Sequence, residues 1–346
     1  MTAALPAKMR AARLHGPGQP LRIEEVPVPA IGPHDALVRV RAAGVCHTEL
    51  HFLSGLLNLG VFPITLGHEI AGEVVAVGEH VRHVALGERV IAYYYAGCGR
   101  CRWCRTGQEN LCPQPAAELG FITDGGFAEY VRTPARSLVA IPPEMGPVEA
   151  ATLGCSAATA IHAVGIARLA LGETAVVYGV GAVGLALVQV AKMAGARVIA
   201  VGRTPAKLAK ARELGADEVI DAGRQPVAEA VRRLTGGQGA DVVFELVGTA
   251  ETMPQAVESL GKRGRLVFIG YSQDAFTVHP INLVVGEITV TASVGNTLEE
   301  LVRAVEMAHQ GKLRPVIDRV VALEEVNGVL EELKQGKVVG RAVVRP

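Results

Sequence analysis

The sequence predicts an α/β protein in two parts: a β-rich domain that opens and closes the chain, and a doubly wound parallel-sheet domain inserted into it. Two observations carry this prediction. In the first half, short runs alternate apolar and polar residues at period two, as in Ala36–Ala42, Ile70–Val77 and Glu88–Ala92, with Gly and Pro between them. Near residue 157 the texture changes, and apolar strands begin to alternate with helical patterns. Strand Thr174–Tyr178 precedes helix Val183–Ala194, and strand Arg197–Val201 precedes helix Pro205–Leu214. Strands at Glu218–Asp221, Asp241–Glu245, Arg265–Ile269 and Ile288–Ala292 complete a six-strand series of the kind that builds a parallel sheet. After Asn296 a helix, Leu298–Gln310, and short segments rejoin the first domain. The expected boundaries are 1–156 with 297–346 for the β-rich domain and 157–296 for the inserted one, with a cleft between them.

Length and charge narrow the function classes. The chain has 346 residues, enough for about two cores, and its 34 basic side chains balance 34 acidic ones. That neutrality argues against nucleic acid or an anionic membrane as a partner. Neither an apolar stretch of membrane-spanning length nor a cationic-then-apolar leader is expected from the sequence, which makes a cytoplasmic location the expectation. Six cysteines are too few for a disulfide scaffold, and their spacing argues for metal in a reducing compartment.

The sharpest cluster is Cys98-Gly-Arg-Cys101-Arg-Trp-Cys104, followed by Cys112. Four thiolates on a Gly-containing loop suit a closed, tetrahedral, structural zinc site. A C-x-x-C redox centre would leave the third and fourth cysteines unexplained. The other two, Cys46 and Cys155, lie far apart, with Gly67-His68-Glu69 between them. A catalytic zinc needs about three protein ligands and one open position, and Cys46, His68 and Cys155 offer two thiolates and an imidazole. Glu69 can join that set or orient it from outside. Spacing alone does not choose this triad from among ten histidines.

A strand runs into Gly179-Val-Gly181-Ala-Val-Gly184 at the first strand–helix junction of the series. Gly179 permits the tight turn, Gly181 a close approach to a pyrophosphate, and Gly184 the closure of the helix on the strand.

Taken in order, Gly44-Val-Cys46-His47-Thr48-Glu49-Leu50-His51, Gly67-His68-Glu69-Ile-Ala-Gly72, the four-cysteine loop, Leu153-Gly-Cys155-Ser-Ala-Ala-Thr159 and the Gly-rich loop closely resemble the zinc-containing medium-chain alcohol dehydrogenases. The resemblance covers nearly the whole chain and is strongest to the shorter bacterial, archaeal and yeast-type members. It implies a GroES-like catalytic domain and a Rossmann cofactor domain. It also implies two zinc ions per chain, with Cys46, His68 and Cys155 at the catalytic one. Thr48 would pass the proton of a zinc-bound alcohol to the nicotinamide ribose, leaving an alkoxide from which hydride departs readily, and His51 would deliver that proton to solvent. His47 would face the cofactor pyrophosphate, as would Arg341, and Lys207 would lie near the adenosine ribose. Lys207 reads about as well as a solvated surface charge. The family usually has Asp where this chain has Glu49, so the support of the zinc-bound histidine is altered. The stretches holding Phe52, Leu57, Tyr93 and Tyr94 lie along the substrate channel in the family, which suits bulky apolar alcohols and aldehydes. A homo-oligomer, tetramer or dimer, is expected on the same ground.

Cofactor choice is read from the second strand. An NAD enzyme of this fold usually ends it in Asp or Glu, about twenty residues past the Gly loop. Here it ends in Gly202-Arg203-Thr204, so the acid is absent. Gly202 leaves room for a ribose phosphate, and Arg203, Thr204 and Lys207 offer donors, which favours NADP over NAD. The expected activity is reversible hydride transfer between NAD(P) and a primary or secondary alcohol. The alternatives are a polyol or other hydroxyl substrate, and a non-catalytic cofactor-binding homologue, which the complete ligand set disfavours.

Overall fold

In a computed structural model the described residues are 5–346; the first four, on which part of the N-terminal reading rests, lie outside the described residues. The chain forms two compact units, one of the residues up to Cys155 together with Thr297–Pro346, the other of Ser156–Asn296.

The first unit is β-rich. Its strands are β1 (Lys8–Leu14), β2 (Arg22–Pro27), β3 (Asp35–Val45), β4 (Ile64–Thr65), β5 (Glu69–Val77), β6 (Arg89–Ala92), β7 (Tyr95–Ala96), β8 (Ala117–Glu118), β9 (Tyr130–Pro134) and β10 (Leu138–Ala140). The second unit contributes β11 (Thr174–Tyr178), β12 (Arg197–Gly202), β13 (Glu218–Asp221), β14 (Ala240–Glu245), β15 (Leu260–Phe268) and β16 (Thr289–Ala292). The chain then returns to the first unit with β17 (Ile317–Ala322) and β18 (Arg341–Arg345).

In the first unit a seven-stranded sheet runs β10-β6-β5-β3-β18-β17, with β9 also on β3. The long strand β3 is its spine because its alternating residues bury Ala36, Val38, Val40 and Ala42. The last strand, β18, pairs antiparallel with β3 through Ala342–Val45 and Val343–Gly44, which sets the C-terminal residues beside the start of the metal motif. A smaller sheet, β2-β1-β4, and the ribbon β7-β8 flank it.

The second unit holds a six-stranded sheet in the order β13-β12-β11-β14-β15-β16, every pair parallel. In chain order this is third, second, first, fourth, fifth, sixth, the doubly wound arrangement the sequence predicts. Its strands are apolar on both faces: Val176, Ile199, Val201, Val243 and Leu266 are buried on one, and Val177, Val198, Ala200, Phe244 and Val267 on the other, as parallel strands covered by helices require. Helix Ala182–Met193 buries Leu185, Leu187, Val188 and Val190.

One sequence expectation needs correction. The helical run Pro147–Ala167 is 21 residues long and apolar enough to cross a membrane by length and composition. In the sequence the run is broken by Glu149, Gly154 and Gly165, so its apolar length is not evident there. In the fold 72% of its most apolar window is buried, as in a core helix. Within it, Leu153–Ala157 is π-helical, and Cys155 lies on that widened turn. Such turns redirect a side chain without ending the helix.

Candidate metal centre and cofactor site

Two groups of potential metal ligands converge in the first unit. The four-cysteine loop brings Cys98, Cys101, Cys104 and Cys112 together, with ligand atoms all within 4.8 Å. Sulfur–sulfur separations are 3.5 Å for Cys101–Cys104 and 3.9 Å for both Cys98–Cys104 and Cys101–Cys112. A disulfide would need about 2.05 Å. A tetrahedral ion with Zn–S of about 2.3 Å implies sulfurs about 3.8 Å apart, which these match. Short helix Arg102–Arg105 starts at Cys101, whose sulfur accepts the Cys104 N–H, so the helix cap fixes the inner pair of ligands.

The second group is Cys46, His68, Glu69 and Cys155, again within 4.8 Å and all buried. Cys46 sits where β3 gives way to helix His47–Ser54; His68 and Glu69 sit where β5 begins; Cys155 comes from the π-helical turn. Three separate elements thus converge. Shared protonation marks the cluster: the Cys155 hydrogen bond holds the Cys46 thiol well below its usual range, while the same bond and burial push Cys155 up. A pair of thiols that favours releasing a proton, one imidazole and one carboxylate form a donor set suited to zinc.

Glu49, the departure from the family pattern, has two contacts. Its Oε1 lies 2.8 Å from His68 Nδ1, and its Oε2 accepts the Cys46 N–H at 2.7 Å. The second contact closes a capping box at the helix start. The extra methylene lets one carboxylate cap its own helix and orient the histidine. Glu69 pairs with Arg341 from β18, Oε1 to Nη2 at 2.7 Å, and Arg341 also donates to the Val45 carbonyl at 3.2 Å. The guanidinium is 4% exposed, and the 2.7 Å contact is poorly aligned, so among the described residues both Glu69 oxygens lack a proper hydrogen bond. A buried carboxylate with no aligned donor suits a neighbouring cation. Burial raises the Glu69 carboxyl. The resemblance assigns Arg341 to the pyrophosphate; in the structure its first partner is Glu69.

Among the relay residues, Thr48 Oγ1 stands 3.6 Å from Cys46 Sγ, and His51 stacks edge-on to the exposed His47 with centroids 5.2 Å apart. Burial and the His47 charge lower the His51 pKa to about 4.

The pocket candidates divide. Tyr94 packs on His68 at 5.0 Å, and Phe52 reaches the same place through Phe121, which lies 5.5 Å from Phe52 and 5.3 Å from His68 and stacks on Tyr94 at 11°. Tyr93 is fully buried, with Glu109 and Asn110 among its neighbours, and packs as a core residue. Leu57 is half-buried in the loop after the helix, its N–H on the His51 carbonyl. Phe121 escaped the sequence reading because it stands in a loop without periodicity.

In the second unit, Gly179 ends β11 with φ 115°, a conformation closed to most side chains. A Cβ on Gly184 would fall 2.0 Å from the Gly179 carbonyl oxygen, so the helix can close only on glycine. A Cβ on Gly181 would meet nothing within 4 Å, leaving open space at the helix start where a pyrophosphate fits. Gly202 differs from the sequence reading: a Cβ there would come within 2.5 Å of Val180 Cγ2, so its place is already filled by the Gly loop. Arg203 is exposed and makes no hydrogen bond or ion pair among the described residues; the Thr204 hydroxyl leaves its helix uncapped, and Lys207 is half-buried one turn on.

Comparison with known proteins matches this architecture. Residues 32–143 match the alcohol dehydrogenase GroES-like domain and residues 182–310 the zinc-binding dehydrogenase family model. An NAD-dependent alcohol dehydrogenase of Sulfurisphaera tokodaii is 35% identical over 98% of this chain and 100% of its own. The crystal structure of the alcohol dehydrogenase from Aeropyrum pernix superposes with a TM-score of 0.93 at 39% identity, covering 97% of this chain and 100% of that one. A zinc-binding dehydrogenase from Sinorhizobium meliloti, solved bound to NADP, gives 0.89 at 32% identity over 99% and 100%. With its two domains, its two sulfur-rich clusters and relatives matched end to end, the chain belongs to the zinc-dependent medium-chain alcohol dehydrogenase family.

Proposed function

We propose that the chain interconverts a primary or secondary alcohol and its carbonyl compound using NADP, with catalysis in a domain of residues 1–156 and 297–346 and cofactor binding in 157–296. The convergence of Cys46, His68, Glu69 and Cys155 from three elements carries this reading. Those residues would hold a catalytic zinc, and Cys98, Cys101, Cys104 and Cys112 a structural one. Zinc at the first site supplies Lewis acidity, which acidifies an alcohol and polarises a carbonyl. Glu49 fixes the tautomer of His68 by taking its Nδ1–H, leaving Nε2 for the centre. The Thr48 hydroxyl would relay the alcohol proton, giving up its own to the nicotinamide ribose as it accepts the new one, and His51, neutral at working pH, would deliver a proton from the ribose to solvent. Phe52, Tyr94 and Phe121 give the reacting carbon an aromatic, water-poor setting. A soluble cytoplasmic homo-oligomer completes the reading.

The NADP assignment rests on the missing acid after β12 and on the exposed guanidinium of Arg203. The NAD-dependent relative favours the other cofactor, and kinetics decide between them. Expected is a higher kcat/KM with NADP in the parent, with Arg203→Ala losing roughly tenfold for NADP and little for NAD. A parent faster with NAD overturns the assignment.

A further inference from the structure

Three carboxylates sit about His68, and two have partners within the protein. Glu49 holds His68 Nδ1 and the Cys46 N–H. Glu69 faces Arg341. The third, Glu118, has no hydrogen bond or ion pair among the described residues, although its side chain is half-buried. It stands in β8 opposite Tyr95 of β7, and antiparallel cross-strand partners project from the same face. Tyr95 packs on Tyr94 at 4.3 Å and on Phe121 at 6.5 Å, so Glu118 lies at the border of the aromatic wall around His68. Its backbone carbonyl accepts the N–H groups of Phe121, Ile122 and Thr123, which ties the turn carrying Phe121 to the same residue.

We propose that Glu118 is a specificity-determining residue of the substrate pocket, admitting alcohols and aldehydes that carry an amine cation and rejecting those that carry a carboxylate. The inference rests on the alcohol dehydrogenase reading of this site and names its substrate class. An unpaired carboxylate beside aromatic faces is the combination that recognises an ammonium group: charge and hydrogen bond from one side, ring quadrupole from the other. A substrate carboxylate would meet like charge in a partly desolvated place. Burial raises the Glu118 carboxyl, so the group stands to gain from an incoming cation. In the reaction the amino alcohol loses a hydride to the oxidised nicotinamide and a proton to solvent, giving the amino aldehyde and the reduced cofactor; the amine keeps its charge throughout.

The test compares hexanol, terminal aminohexanol and terminal hydroxyhexanoate in the zinc-loaded parent and in Glu118→Gln. Relative to hexanol, kcat/KM for the amino alcohol should fall roughly tenfold in the variant and that for the hydroxy acid should rise, mainly through KM. A loss of fold would move all three together, whereas loss of a charge moves the cation and the anion in opposite directions. Calorimetric binding of hexylamine and hexanoate to the same two proteins supplies a readout independent of turnover. Here hexylamine should weaken roughly tenfold in the variant. If the parent oxidises none of the three alcohols but the hexylamine effect is present, the activity is wrong and the cation site stands. If both the substrate ratios and the hexylamine affinity are unchanged in Glu118→Gln, the inference is overturned.

Discussion

Replacing Glu49 by Gln keeps the side chain's shape and removes its charge. The carboxylate serves two donors at once, the Cys46 N–H at 2.7 Å and His68 Nδ1 at 2.8 Å, and both Glu49 and His68 are 1% exposed. An amide has one oxygen and one NH2 to offer. With its oxygen on the Cys46 N–H, its NH2 faces Nδ1, which must then be the unprotonated nitrogen. The ring proton moves to Nε2, the nitrogen left for the metal, and a protonated nitrogen cannot ligate. With the amide reversed, the buried Cys46 N–H faces another donor, at a cost of about 1–3 kcal/mol. Either arrangement should lower zinc affinity at this centre about 10–100-fold, as loss of a supporting partner does elsewhere. That factor is about 1.4–2.7 kcal/mol. Chelator competition with zinc analysis, run on parent and variant alike, measures it, since the four-cysteine loop is the same in both. A Glu49→Gln protein that holds this zinc within a factor of two of the parent would show that the carboxylate does not set the histidine tautomer.

The other predictions follow from single contacts. Elemental analysis should find two zinc ions per chain; Cys101→Ser should lose one and fall in thermal stability before activity, whereas Cys155→Ser should lose one and all turnover with the fold retained. Thr48→Ala should reduce kcat about 10²–10⁴-fold while Thr48→Ser stays active, and full activity in the alanine variant would remove the hydroxyl from the mechanism. His51 has a folded pKa of about 4, below the ordinary 6.5, so the unfolded chain binds its proton first as pH falls. The stability it confers is complete above pH 6.5 and is lost as pH falls toward 4, so His51→Gln should flatten the urea-midpoint decline across that window. Because Val180 fills the space beside Gly202, Gly202→Asp should destabilise the fold by about 1–3 kcal/mol, and adding Val180→Ala should recover most of that. Equal melting of the single and double variants would show that the contact is relieved elsewhere.

The alternation of strand and helix, the four-cysteine loop and the Gly-x-Gly-x-x-Gly junction were all legible in the sequence. Each is a local pattern, set by backbone period or by ligands a few residues apart. The strands expected at Arg197–Val201 and Glu218–Asp221 therefore differ from β12 and β13 by at most one residue. The catalytic group was legible only through motif order, since Cys46, His68 and Cys155 are separated by long intervals and no spacing rule joins them. Tertiary structure decided the rest. It turned Cys155 inward on a π-helical turn, brought Arg341 from the last strand onto Glu69, and sent Tyr93 into the core while Tyr94 took the place beside His68. It also drew in Phe121 and Glu118, which no periodicity marks, and filled the place beside Gly202 with Val180. A sequence records the period of its own backbone and the chemistry of each side chain. Which distant side chains share one desolvated space depends on strand pairing and close packing, and these exist only once the chain has folded.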